Sequence, residues 1–441
     1  MKKVVSLILG LTLLVGMLGA CASGTDKSGK TATVPNETVE ESTTTDSTTT
    51  DSTTTESPSG EKVDIQFWHH HSGGTAENLE SMINKYNKLP DRKATVTLQY
   101  LPKNELLKRY ALGVISGDLP EVALTDNADT LSFAAMGMYV DITDRVNALE
   151  HPDFLPHALN SGNYNGKQYS VPIRSNCLAL WVNNDMMTEA GITEMPVTWD
   201  ELLEVCKTLK EKNPNVYPLA LSAVKTEDIV FQFLPFLFSA GASWDTMDSP
   251  EAIEALDFVK TLSDNGYISM EVINWSQNDV EKQFAAGNSA MMINGSWQLP
   301  NIKNDAPDLN YSIIKIPMNK EYASTLGGEN IGMTIASEGN EDAVWDFMSW
   351  MESLDSSLEY NTLCGTISPN MAITKEMQYP DNEVMSAFID QAQYAVARGP
   401  HPKWPEISGI LQECIQEILT GTKTTKESAK NAAEKIAAII G

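Results

Sequence analysis

From Val63 onward the chain alternates strand-like segments with amphipathic helices, a grammar that limits it to an α/β fold with a sheet covered on both faces. Val63 to Trp68 alternates with period two, His69 to Gly74 is a polar loop, and Ala76 to Lys88 places Leu79, Met82, Ile83 and Tyr86 on one helical face. Ala94 to Tyr100 reads as a second strand and Asn104 to Ile115 as a second helix ending near Gly117. Glu121 to Thr125 is a third strand, followed by an Asp126-Asn127-Ala128-Asp129 turn and a helix that stops around Gly137. These repeated units predict a parallel sheet. Further on, Ala179 to Asn183 reads as a strand, and Thr198 with Glu201 forms a capping box for a helix stopped by Asn213-Pro214. Asp279 to Ala286 is helical, Gly287 terminates it, Ser289 to Ile293 is a strand, and Asn294-Gly295-Ser296 turns into Trp297. About 380 residues follow residue 62, enough for two domains.

The preceding segment obeys other rules. Lys2 and Lys3, an apolar run from Val4 to Leu18 and the small residues Gly19 and Ala20 form a secretory signal over residues 1–20. The run is shorter than the ~20 residues a membrane span needs. Leu18-Gly19-Ala20-Cys21 resembles the bacterial lipobox, in which the cysteine is lipidated and becomes the mature N-terminus. Two acyl chains suffice to hold a protein on a membrane. Residues 21–62 carry almost no large apolar side chains and cannot bury a core. Within them Thr43 to Ser47 is echoed by Thr48 to Ser52 and Thr53 to Ser57, an acidic Ser/Thr-rich tether with a span of roughly 35 Å.

The formal charge of −28 becomes −30 once Lys2 and Lys3 leave with the signal, which disfavours nucleic acid and other polyanions as partners. Of five cysteines, Cys21 is the lipidation candidate. Cys206 and Cys414 share helical faces with leucines and isoleucines and read as core residues, while Cys177 and Cys364 lack the close spacing of a zinc or redox motif. An extracellular setting would permit a disulfide among the four.

In open α/β sheets ligands bind beyond the carboxyl ends of the strands. Three loops there have similar chemistry: Trp68 to Gly74, Asp126 to Asp129, and Asn294 to Trp297. Each combines hydrogen-bonding side chains with a turn, and two bring a tryptophan. A sugar needs both, because a pyranose offers an apolar face to an aromatic ring and a belt of hydroxyls to polar groups.

With those residues in view, the chain resembles the extracellular solute-binding proteins of sugar-type ABC importers, the group of maltose, glycerol-3-phosphate and multiple-sugar binders. The resemblance rests on Ile65-Gln66-Phe67-Trp68-His69, Ile115 to Val122, Tyr169-Ser170-Val171-Pro172, Trp181 to Asp185, Pro196 to Leu202, and above all Phe284 to Trp297. Gly327-Gly328 and the stretch from Trp404 through Gly421 to Ala429 continue it. It implies a periplasmic-binding-protein-like α/β fold of two lobes, residues 63–172 with 328–366 and residues 175–325 with 370–441, enclosing a ligand cleft. The crossings fall near Pro172 to Ser175, Thr325 to Gly328 and Gly365 to Asn370. It also implies a sugar or oligosaccharide ligand, membrane permease subunits as partners, no cofactor, and a monomer anchored on the extracytoplasmic face of the cell membrane.

Carried over residue by residue, Trp297 with Ser296 is the expected stacking platform, and Trp68, His70 and His71 are the contact loop of the first lobe. Asp126 and Asn127, Ser175 and Asn176, and Gly328 and Glu329 are expected polar contacts, with Trp244, Trp275 and Arg398 as further candidates. The glycerol-3-phosphate binder is the nearest look, but Thr366 and Pro400 stand at the places of its cleft arginine and tyrosine, with Arg398 only nearby. On that count a neutral sugar is favoured over a phosphate ester.

Trp199, Trp345 and Trp350 follow helical spacing among apolar neighbours and read as packing residues. His69-His70-His71 invites a metal reading, but neighbouring residues at a strand end point to opposite sides and are not expected to converge on one ion. No Gly-x-Ser-x-Gly elbow or His-Glu-x-x-His helix is present, and Gly162 to Lys167 is one residue short of a phosphate-binding loop. The enzymatic alternative that remains is a secreted carbohydrate hydrolase using paired acids.

Overall fold

The computed structural model describes residues 62–399 and 401–441, so the signal, Cys21, the tether to residue 61 and Pro400 lie outside the described residues. Strand β1 (Val63–His69) pairs in parallel with β2 (Ala94–Tyr100) across helix α1 (Gly73–Lys88), which buries the expected Leu79, Met82, Ile83 and Tyr86. Helix α2 (Lys103–Ser116) ends against Gly117, and β3 (Val122–Asp126) returns parallel to β1. The chain does not turn after β3. Helix α3 (Asn127–Ala135) starts at once, with Asp126 as its cap accepting from the Ala128 N–H at 3.3 Å. A short acidic side chain can satisfy a first-turn donor, so the expected turn is a helix start instead.

The remaining strands are β4 (Asn163–Tyr164) and β5 (Lys167–Gln168), which form a hairpin, then β6 (Val171–Asn183), β7 (Tyr217–Ala220), β8 (Ser289–Gly295), β9 (Tyr311–Ile314), β10 (Ser324–Met333) and β11 (Ala395–Ala397). The large sheet runs β2-β1-β3-β10-β6-β8-β7, with β11 beside β10 and β9 beside β6. It is mixed rather than parallel, because β10 is antiparallel to both β3 and β6, and β6 is antiparallel to β8. These long strands return across the molecule without the βα crossover that enforces parallel pairing.

Two large apolar cores flank this arrangement. Ile65, Leu79, Tyr86, Leu124, Ile331 and Phe347 belong to one; Leu202, Phe236, Leu256, Ile293, Leu411 and Ile436 belong to the other. Between them Ser175 of β6 pairs with Gly328 of β10 on one side and bridges Ile367 on the other. Trp199 stacks on Phe258 at 4.2 Å, while Trp350 is buried and Trp345 packs against the first core. The Thr198 capping box forms as expected, with the Glu201 carboxylate accepting from the Val197 and Thr198 N–H groups at 2.7 and 3.0 Å. Cys177, Cys206, Cys364 and Cys414 are all buried free thiols, so the disulfide that the setting would permit is not formed. Among the described residues no helix is long and apolar enough to cross a membrane.

Candidate functional site

The ends of β1, β3 and β8 and the middles of β6 and β10 border a cavity of about 260 Å³. Trp297 enters it directly after β8. Gly295 makes room for the indole, since a Cβ at 295 would overlap its six-membered ring. Phe231, from the helix Glu227–Ser239, places its ring 6.0 Å from Trp297, and the two form an aromatic corner. Around them stand the amides of Gln277, Asn278 and Asn301 and the carboxylate of Asp228, which accepts the Gln277 N–H at 3.3 Å. Burial pushes the Asp228 carboxyl upward, and among the described residues it has no ion-pair partner.

The opposite side is charged. Lys103 donates to Asp126 at 2.8 Å, and Arg398 donates to Asp126, to Asn127 Oδ1 at 3.1 Å and to Glu227 at 2.9 Å. Burial opposes a charge on Asp126, yet Arg398 and Lys103 outweigh it and hold the carboxyl well below the usual range. Arg398 also lies 4.5 Å from the Phe231 ring centroid, so its guanidinium joins the charged and aromatic sides. Arg174 grips Glu329 through Nε and, at 2.7 Å, through Nη2. Its Nη1 is buried without a hydrogen-bond partner, and so is His71 Nε2. Burial, then the charges of Lys103 and Arg174 against an opposing Asp126, push the His70 imidazole down to about 3. Burial and Arg174 hold His71 well below its ordinary value. Both rings are therefore neutral at physiological pH, each with one N–H to donate and one lone pair.

Of the residues singled out in the sequence, Trp297, His70, His71, Asp126, Asn176, Gly328, Glu329 and Arg398 line the cavity. Six do not. Trp68 is 5% exposed, lies parallel to Tyr110 at 6.2 Å and carries the Arg109 guanidinium over its face. Leu106 and Tyr110 of α2 pack around it, although Asp64 and Gln66 on the same face of β1 are exposed, so alternation along the strand gives no sign that this end is covered. Trp244 packs edge-on against Trp404, and Trp275 lies between two apolar clusters. Asn127 sits behind the cavity holding Arg398, while Ser175 and Ser296 are buried in the backbone of the site. Arg398 is inside the cavity rather than beside it, and Thr366 is buried elsewhere, donating to Asn361. An arginine is thus present in the lining, but it is already engaged by Asp126, Asn127 and Glu227.

The histidine expectation also needs correcting. Strand β1 ends at His69, so alternation no longer governs His70 and His71; their rings lie 5.3 Å apart, and their ligating atoms and a Glu329 oxygen fall within 4.8 Å of one another. This trio has the ligand types of a metal site, but Glu329 is already engaged by Arg174, whose charge opposes a cation there. Lys103, Arg174, Glu227, Asp228 and Phe231 were not singled out in the sequence. Lys103 follows β2 at the same strand edge as the other loops and was open to the same argument; Glu227 and Asp228 follow β7, a four-residue strand containing Pro218 that carries little periodic signal.

Comparisons with known proteins match this architecture. Residues 81–387 fit the family model described as bacterial extracellular solute-binding protein. A maltotriose-binding protein of Pyrococcus abyssi is 24% identical over 366 residues, covering 81% of this chain and 78% of its own length. An ABC transporter solute-binding protein of Thermotoga lettingae, solved with α-D-tagatose, superposes with a TM-score of 0.79 at 26% identity, over 86% of this chain and 100% of its own. The maltose-bound MalE3 of T. maritima shares the fold with a TM-score of 0.76 at 23% identity, over 86% and 100% of the two chains. With a family match across most of the folded region and a cavity between two cores, the chain belongs to the bacterial extracellular solute-binding proteins.

Proposed function

We propose that the protein captures a sugar or short oligosaccharide between two lobes and delivers it to the permease of an ABC importer, without carrying out chemistry on it. The observation that carries this reading is the Trp297–Phe231 corner set among amides and carboxylates, an aromatic face with hydrogen-bonding groups around it. The names of the relatives, which bind maltotriose, tagatose and maltose, support it. A cavity of about 260 Å³ lies at the small end of ligand sites, which favours one or two sugar rings.

The lobes are residues 63–172 with 328–366 and residues 175–325 with 370–441, and the hinge is the triple contact of Ser175, Gly328 and Ile367. Arg398 ties Asp126 of one lobe to Glu227 of the other, as expected of a closed arrangement. Ligand bonded to both lobes would favour that state. The mature chain is a monomer, anchored through lipidated Cys21 on the extracytoplasmic face with its tether as spacer.

A thermal-shift panel of mono- and oligosaccharides tests the ligand class, since a molecule bound only by the folded state raises the melting temperature. The best ligand should also shrink the radius of gyration in solution scattering. No shift with any sugar would refute the reading. For the anchor, Cys21→Ser should release the protein from membranes; retention after a high-salt wash would count against lipidation.

A further inference from the structure

The geometry points to a sugar that carries an acidic group, a carboxylate or a phosphate ester, bound by Arg174 Nη1, His71 Nε2 and the amino terminus of α1. This rests on the sugar reading above and narrows it. Three independent features meet at one corner of the cavity. Arg174 lines the cavity but is almost wholly buried, and Glu329 fixes it by taking Nε and Nη2, which leaves Nη1 buried with no acceptor. His71, equally buried and also lining the cavity, has an unpartnered Nε2. The sixteen-residue α1 begins there: Ser72, Gly74 and Thr75 line the cavity, Ser72 makes no side-chain cap, and the first turn holds no acidic residue.

A buried guanidinium N–H without an acceptor is costly, and the natural acceptor for it is a charged oxygen. The first N–H groups of a helix have no partners within the helix, and they favour the same kind of ligand. The surroundings agree: after burial, Arg174 is the largest influence holding His71 neutral, and Lys103 is the largest holding His70 neutral, so the corner disfavours an added positive charge. Glu329 does not cancel this, because both its oxygens are engaged by Arg174. The same facts set an anion above a metal ion at the His70, His71 and Glu329 cluster. Trp297 and Phe231 remain available for the sugar ring.

Calorimetry on the protein with glucose, galactose and maltose, with glucuronate and galacturonate, and with glucose 6-phosphate and glycerol 3-phosphate separates the possibilities. At least one acidic compound should bind about tenfold or more tightly than its neutral counterpart, and whether the uronates or the phosphates win identifies the group. His71→Leu should remove most of that preference. Arg174→Gln alone would strand Glu329, so the informative variant is the pair Arg174→Gln with Glu329→Gln, which should abolish the preference in a folded protein. Neutral sugars binding as tightly as their acidic counterparts, or a preference untouched by both variants, would overturn the inference while leaving sugar binding intact. If none of the compounds bound, the inference would be overturned, and the sugar reading would fall with it only if the wider thermal-shift panel were silent as well.

Discussion

On the side of the cavity built by the early strands, the charged groups come in opposed partners, Lys103 with Asp126 and Arg174 with Glu329, whereas the side built by residues 227–301 offers an indole, a phenyl ring, amides and the unpaired Asp228. The first side costs desolvation that the paired charges only partly repay, so its value lies in fixing donors in place and rejecting the wrong ligand. The second side contributes area and an aromatic face, which is where affinity for the proposed sugar ring would arise. Arg398 belongs to both, holding Asp126 and Glu227 while lying over Phe231.

The two sides depend on each other most strongly at Arg398. Arg398→Met should destabilise the protein by about 3–5 kcal/mol, because it leaves buried carboxylates facing one another. Urea unfolding measures this, and adding Asp126→Asn should recover part of the loss. A change within about 0.5 kcal/mol would mean that the two sides do not depend on that guanidinium.

A smaller effect comes from acids hidden behind each side. Burial pushes Asp129, behind the charged side, up to about 7, and Glu281, behind the aromatic side, also to about 7. Each is largely neutral in the folded protein at pH 6 and ionised in the unfolded chain, so unfolding releases protons. Stability should therefore fall as pH rises from about 4.5 through 7 and remain lower above it. Glu281→Gln should recover about 2 kcal/mol at pH 8 and nothing below pH 4, as read from melting curves across pH. A variant no more stable at pH 8 would show that Glu281 is ionised without penalty in the fold.

Much of this arrangement was legible from residue patterns. The Leu79, Met82, Ile83 and Tyr86 stripe, the Thr198–Glu201 box and the glycine stops at Gly117 and Gly287 all mark elements where they stand, because caps and periodicity are local. The strand-edge argument reached Trp297, Asp126 and the histidine loop for the same reason. It failed at Trp68, since Leu106 and Tyr110 of α2 pack around that one residue and only tertiary packing decides this. It missed Arg174, within a crossing already recognised, and Asp228, in the first turn of a helix, because pairing and burial across 155 residues, as between Arg174 and Glu329, leave no trace in local spacing. The antiparallel return of β10 was hidden likewise, being a property of topology rather than of any one segment.

The account stands or falls on the aromatic side, and calorimetry of Trp297→Ala with the sugar that gives the largest thermal shift is its most direct test. Trp244→Ala, whose ring packs on Trp404 away from the cavity, serves as the control. The account predicts at least about tenfold weaker binding for Trp297→Ala, about 1.4 kcal/mol, with folding preserved and the Trp244 variant within about twofold of the parent. Unchanged affinity in Trp297→Ala would contradict the claim that a sugar ring stacks on this indole.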